Sequence, residues 1–188
     1  VRPLCRLADS LARAGIHAIR FDYAGCGESE GDHAGSTVEE WTNNILMVAE
    51  LAARKFGLSR VFVVGLRLGG TLAARAAGSG RFDGLVLWEP IVSGREYLQQ
   101  MLRLNVATQM VVERKIVHNR EQLVARMRAG IPLSIEGYEV SEKLFDGVAA
   151  LELEPLLSAV AAPTLSVRIG EGSSAESAGS TAVSHSAP

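Results

Sequence analysis

Val61-Phe-Val-Val-Gly-Leu-Arg-Leu-Gly-Gly70 is the stretch on which the reading of this chain turns. A run of β-forming apolar residues ends at Gly65, and Gly69 follows after three residues, the spacing Gly-x-Nuc-x-Gly of a strand that turns sharply into a helix. Gly65 and Gly69 are expected to flank a strained turn in which larger residues collide with strand or helix. The side chain between them is thrust above the sheet edge, and here it is Arg67. A guanidinium remains protonated at physiological pH. It can clamp an anion or stabilise developing negative charge, but it cannot attack a carbonyl.

Outward from this turn, short β-rich runs alternate with helical patterns, the signature of an α/β fold with a parallel sheet and crossover helices. The pattern predicts strands at His17–Phe21, Arg60–Val64, Gly84–Trp88 and Thr164–Arg168. Leu4, Leu7, Ala8 and Leu11 share one helical face that Gly15 terminates. Val38–Lys55 reads as a long helix with Trp41, Ile45, Val48, Ala49 and Ala52 inward. The helix Leu68–Ala77 is small-sided, with Gly69, Gly70, Ala73, Ala74 and Ala76, which lets it lie close to a sheet. Residues 91–150 break the alternation. Ser93–Met127 is helical in pattern and far longer than a simple crossover needs. This insertion is expected over the carboxyl ends of the strands, where open α/β sheets bind ligands. It serves either as a substrate-covering lid or as packing against the core or a partner subunit.

The 188 residues suffice for one domain with a real core, and 47% apolar content with net charge −2 describes an ordinary globular chain. The 19 Lys and Arg are scattered among 21 Asp and Glu and make no phosphate-binding stripe, so nucleic acid is not expected as a partner. No apolar run reaches the ~18–20 residues of a bilayer span, so no membrane insertion is expected. Cys5 and Cys26 lack metal-ligand spacing and suit a reducing, cytoplasmic setting, with neither metal nor cofactor implied. Residues 169–188 are mostly Ser, Gly, Ala and Thr and are expected to form a disordered tail.

Two motifs in order carry a family resemblance. Arg20-Phe-Asp-Tyr-Ala-Gly-Cys-Gly-Glu-Ser29 resembles the Asp-x-x-Gly-x-Gly-x-Ser turn after the fourth strand of α/β-hydrolases, and Val63-Val-Gly-Leu-Arg-Leu-Gly-Gly70 resembles the elbow after the fifth. Leu85-Val-Leu-Trp-Glu-Pro-Ile-Val-Ser-Gly-Arg-Glu-Tyr-Leu98 is similar to exosortase-associated hydrolases, kin of the serine aminopeptidase-like hydrolases. The resemblance covers residues 1–168 and implies a partial α/β-hydrolase core, truncated at both ends. The loop that donates one oxyanion amide in the family is expected upstream of Val1. A partial sheet leaves apolar edges open, and a homodimer along such an edge is the partner expected from it.

The resemblance implies acyl transfer to water through a nucleophile, an acid, a histidine and backbone amides. The elbow position holds Arg67, and the Leu68 N–H corresponds to the family's other oxyanion donor. Glu171, after the last strand, and Glu89, at the end of the Gly84–Trp88 strand, are the acid candidates. Equally, Glu171 opens the tail and Glu89 caps a strand before Pro90. His185 is the one late histidine and falls within the tail. Ser29 and Ser93 lie near the expected carboxyl edge but on no elbow, and His17, His33 and His118 have no spacing that links them to a nucleophile. Gly25-Cys-Gly27 is a permissive turn, since no Gly-Lys-Ser/Thr follows it.

Two functions follow. The first is an acyl ester, amide or thioester hydrolase type left incomplete by Arg67. The second is a non-catalytic binding or assembly protein in which Arg67 grips a small acyl or anionic molecule at a helix N-terminus. The plain alternative for Arg67 is a salt bridge to Glu89 or Asp22.

Overall fold

The computed structural model describes residues 2–135 and 137–169. Three parallel strands form the central sheet: β1 (Phe62–Leu66), β2 (Gly84–Trp88) and β5 (Thr164–Val167), in the order β1-β2-β5. Leu66 pairs with Trp88, and Trp88 pairs with Val167, so the three strands end level at one carboxyl edge. The expected second strand is displaced by two residues, and the last is one residue shorter than expected.

The expected strand at His17–Phe21 does not form. The segment has no regular secondary structure and is solvent-exposed, with Ile19 and Phe21 uncovered, and no described strand pairs with it to complete a hydrogen-bonded ladder. β-branched and aromatic content alone does not make a strand when the backbone has no neighbour.

Helix α1 (Arg2–Arg13) has no fully buried residue. Leu4, Leu7, Ala8 and Leu11 are half-buried, and Gly15 ends the segment at φ 78°. Helix α2 (Val38–Phe56) starts where Thr37 accepts a hydrogen bond from the Glu40 amide at 3.1 Å, and it stops at Gly57 in the left-handed conformation. Such a side-chain cap contributes about 1 kcal/mol. Trp41, Ile45 and Ala52 are buried, with Val48 and Ala49 partly so. Helix α3 (Leu68–Ala77) buries Gly70, Thr71, Leu72, Ala73, Ala74, Ala76 and Ala77. Its small residues bring its axis close to β1 and β2. Thr71, fully buried, satisfies its hydroxyl by donating to the Ile91 carbonyl at 2.7 Å.

The insertion is not one helix. It divides into α4 (Gly94–Val112), α5 (Arg120–Arg128), the antiparallel pair β3 (Leu133–Ile135) and β4 (Tyr138–Val140), and α6 (Glu142–Ala149). Asn119 and Gln122 form a reciprocal capping box that starts α5 and interrupts the apparent continuous helix. A further helix, α7 (Leu153–Ser158), leads to β5. Leu98, Leu144 and Val148 join the main core with Leu72, Leu85 and Leu87, while Leu102, Leu123, Met127 and Leu133 make a smaller core of their own. No helix among the described residues is long and apolar enough to cross a membrane.

Leu87 is wholly buried in the central strand. Leu87→Ala is expected to lower unfolding free energy by about 2–5 kcal/mol in urea titration. At the insertion, Arg128 donates to both carboxylate oxygens of Asp146 at 2.6 and 2.7 Å and also to Glu142. Those hydrogen bonds hold the Asp146 carboxyl below its ordinary value, against a small opposing effect of burial. The depressed folded-state value means the pair's stabilisation is complete above the unfolded carboxylate range and fades as pH falls through the folded value. In a carboxyl NMR titration, Arg128→Ala is expected to return Asp146 toward about 3.9; an unchanged midpoint refutes the pairing.

Candidate active site at the strand-to-helix elbow

The elbow is built by a backbone contact. A Cβ on Gly65 would stand 2.2 Å from the Gly69 carbonyl oxygen and 2.5 Å from the Gly70 Cα, so strand and helix approach more closely than any side chain permits. A Cβ on Gly70 would lie 3.0 Å from the Gly65 oxygen. Gly69 differs from the expectation. Its Cβ position meets only the Tyr23 hydroxyl, at an ordinary 3.8 Å, because it faces outward at the first turn of α3. The tight pair is therefore Gly65 with Gly70.

Arg67 occupies the turn at φ 55°, ψ −125°, outside the regions that non-glycine residues favour. Its amide donates to the Trp88 carbonyl at 2.9 Å, and its own carbonyl accepts from the Gly70 amide at 2.9 Å. Glu89, at the end of the adjoining strand, is also left-handed at φ 48°. Backbone strain of about 1–3 kcal/mol per residue is thus concentrated at two adjacent strand ends, on the edge where the sheet opens to solvent. The Arg67 side chain is exposed and has no hydrogen-bond or ion-pair partner among the described residues. The salt bridge to Glu89 or Asp22 does not form. The Glu89 carboxylate instead accepts from the Ile169 amide, tying the ends of β2 and β5, while Asp22 accepts from the Glu28 amide at 3.5 Å within the glycine turn.

Leu68 begins α3, where its N–H has no preceding helical carbonyl to receive it. Glu171 and His185 lie outside the described residues. The two serines are engaged elsewhere: Ser29 donates to the Asp22 carbonyl at 2.7 Å, and Ser93 donates to Glu152 at 3.0 Å. The described histidines are also apart from the elbow. His17 packs on Phe56, and the His118 backbone is held by Gln109. His33 bonds through Nδ1 to the Glu139 carbonyl at 2.8 Å. A carbonyl only accepts, so His33 carries its proton on Nδ1. That bond ties the short 3-10 helix His33–Gly35, which follows the glycine turn, to β4, and Tyr138 and Trp41 flank the ring.

Sequence reasoning passed over Tyr23. It stacks on Trp41 with centroids 5.4 Å apart, and its hydroxyl reaches the first turn of α3. Burial, with Cys26 adding to it, pushes the hydroxyl up to about 12, so it stays protonated and able to donate at neutral pH. The signal was its place inside the glycine motif, one residue after Asp22; its contact with α3 needs the fold. No group of three or more His, Cys, Asp or Glu suited to a metal occurs among the described residues.

Gly65→Ala is expected to cost more than about 2 kcal/mol, since the contact is backbone on backbone. Gly69→Ala is expected to be neutral or stabilising by up to about 1 kcal/mol, because it adds helix propensity and its methyl meets only the Tyr23 hydroxyl at ordinary contact distance. Paired urea denaturations check both; equal losses contradict the assignment.

Comparison with known proteins agrees with this geometry. The serine aminopeptidase (S33) family profile matches residues 2–145. Among solved structures, Est1E from Butyrivibrio proteoclasticus, with ferulic acid bound, superposes with TM-score 0.61 at 18% identity, covering 86% of this chain and 60% of that one. The metagenome-derived lipolytic enzymes LipS and LipT give 0.55 at 25% identity, with 87% and 64% covered. Proline iminopeptidase of Mycobacterium smegmatis gives 0.54 at 17% identity, with 87% and 66% covered. This chain therefore spans about 60–66% of these structures. No curated protein matches it. The paired glycine contact, the parallel sheet and the family match together place the chain in the serine aminopeptidase (S33) family of α/β-hydrolases.

Proposed function

We propose that this chain has the scaffold of an acyl ester or amide hydrolase but does not carry out covalent catalysis at its elbow. One observation carries the reading: the residue in the strained elbow conformation is Arg67, whose side chain stays cationic and offers no electron pair to an acyl carbon. In a serine triad, loss of the nucleophile alone lowers turnover about a millionfold.

A second reading is favoured by the unpaired guanidinium. Arg67 stands at the N-terminus of the ten-residue α3 with no acid facing it among the described residues, since Glu89 is occupied by the Ile169 amide. Helix dipole, free amides and guanidinium then act on one small carboxylate or phosphate, which a guanidinium binds bidentately. The protonated Tyr23 hydroxyl adds a neutral donor beside the same turn.

The partner we propose for assembly is a second copy along a sheet edge. Phe62 on β1 and Leu165 on β5 are exposed, and an uncovered edge strand presents unpaired backbone groups for further pairing. Sedimentation of the full chain reads its oligomeric state.

Two measurements on the full chain test the site. Intact mass after treatment with a fluorophosphonate is expected to show no adduct, and hydrolysis of p-nitrophenyl acetate is expected to be equal in the wild type and Arg67→Ala; an adduct or a difference in turnover refutes the first reading. Binding of inorganic phosphate and of butyrate, followed by NMR, is expected to weaken at least about tenfold in Arg67→Ala while the urea midpoint holds. Unaltered binding refutes the second reading, and a lowered midpoint assigns Arg67 to a structural ion pair.

A further inference from the structure

Away from the elbow, the end of α4 and its connection to α5 combine two features that a globular surface rarely joins. Residues 103–131 hold six cations (Arg103, Arg114, Lys115, Arg120, Arg126, Arg128) against Glu113 and Glu121, a net +4. The rest of the chain, thirteen cations against nineteen acids, is at −6. The same stretch exposes large apolar side chains. Val111 is 81% and Val112 68% exposed, and Met110, Ile116 and Val117 are also uncovered.

The placement is structural. All fully buried residues of α4 lie in its first nine positions (Gly94, Leu98, Met101 and Leu102); in its second half Val106 packs, partly buried, on the smaller core, and the end from Met110 to Val112 is exposed. The connection at its end is held in shape. Gln109 accepts from the Val117 and His118 amides at 2.9 and 2.8 Å and donates to the His118 carbonyl at 3.1 Å. Beside it an open cavity of about 530 Å³ is lined by Lys115 and Arg126, with Glu113 the one acid on its wall. Arg128 is taken up by Asp146 and Glu142, and Arg120 by Gln99. Arg114, Lys115 and Arg126 have no ion-pair partner among the described residues.

We propose that this tip docks on an anionic phospholipid surface, with Val111, Val112 and Ile116 entering the interface and Arg114, Lys115 and Arg126 meeting lipid phosphates. Apolar residues beside unpaired cations match the two attractions that hold amphipathic segments on membranes, apolar burial and charge. A bilayer is favoured by the combination: Val111 and Val112 project freely and are followed within three residues by the unpaired Arg114 and Lys115, so an anionic headgroup layer over an apolar interior meets both kinds of side chain at once. The surface is separate from the elbow and independent of Arg67.

The test is co-sedimentation of the full chain with phosphatidylcholine vesicles, with and without phosphatidylglycerol. Binding is expected only to the anionic vesicles and is expected to be lost at about 1 M salt, where the Debye length is ~3 Å. Arg114→Gln with Lys115→Gln is expected to weaken it about 25-fold, each surface cation being worth about fivefold. Val111→Asp with Val112→Asp is expected to abolish it with an unchanged circular-dichroism spectrum, as both side chains lie outside the core. Arg2→Gln with Arg6→Gln removes equal charge from α1 and is expected to leave binding intact. Equal binding to neutral vesicles, no binding to anionic ones, or an equal loss from the α1 variant overturns the proposal. So does a dimer-to-monomer shift caused by the two aspartates with vesicle binding retained, which makes the tip a self-association face.

Discussion

The contact between Gly65 and the Gly69–Gly70 backbone is the constraint on which the rest of this structure depends. It lets a buried strand pass directly into a helix lying on the same sheet, and it forces the residue between them into a conformation that costs energy. Once α3 is seated, its run of alanines closes against β1 and β2. Thr71 then ties the helix to the Ile91 carbonyl after β2. The strand ends are brought level, so Arg67 and Glu89 emerge side by side at one edge.

That arrangement has a chemical consequence. The strain that in a hydrolase presents a nucleophile presents a permanent cation here, at the end of a helix whose dipole favours negative charge. Glu89 is the nearest acid in register to neutralise it, since the two residues follow the paired positions Leu66 and Trp88. Its carboxylate is drawn to the Ile169 amide instead, where it holds the end of β5. A strand end left without a ladder partner is thereby satisfied, and the guanidinium is left to the solvent.

The insertion divides its labour along its length. Its first half contributes Leu98 to the main core and Leu102 to a second, smaller one, and β4 is tied through His33 to the short 3-10 helix after the glycine turn. Its outer half carries the opposite balance, apolar side chains exposed and positive charge unneutralised. Covalent continuity places both on one helix. Packing separates them, because the fully buried residues of α4 all fall in its first nine positions, where Leu98 joins the main core and Leu102 the smaller one.

The local elements were legible in residues 61–70, 84–88 and 38–56, because apolar periodicity, capping residues and close-packing glycines act within a few positions of one another. The elbow was legible for the same reason. What sequence alone determined, then, is the strand-turn-helix unit, the identity of Arg67 within it, and the charge carried by each stretch. Only tertiary structure decided that 17–21 is no strand, since a ladder requires a neighbour that local composition does not supply. It also decided that Gly70 rather than Gly69 makes the tight contact, that Glu89 caps β5 rather than pairing with Arg67, and that Tyr23 reaches α3. Each of these depends on distances between segments far apart in the chain, which local periodicity does not encode.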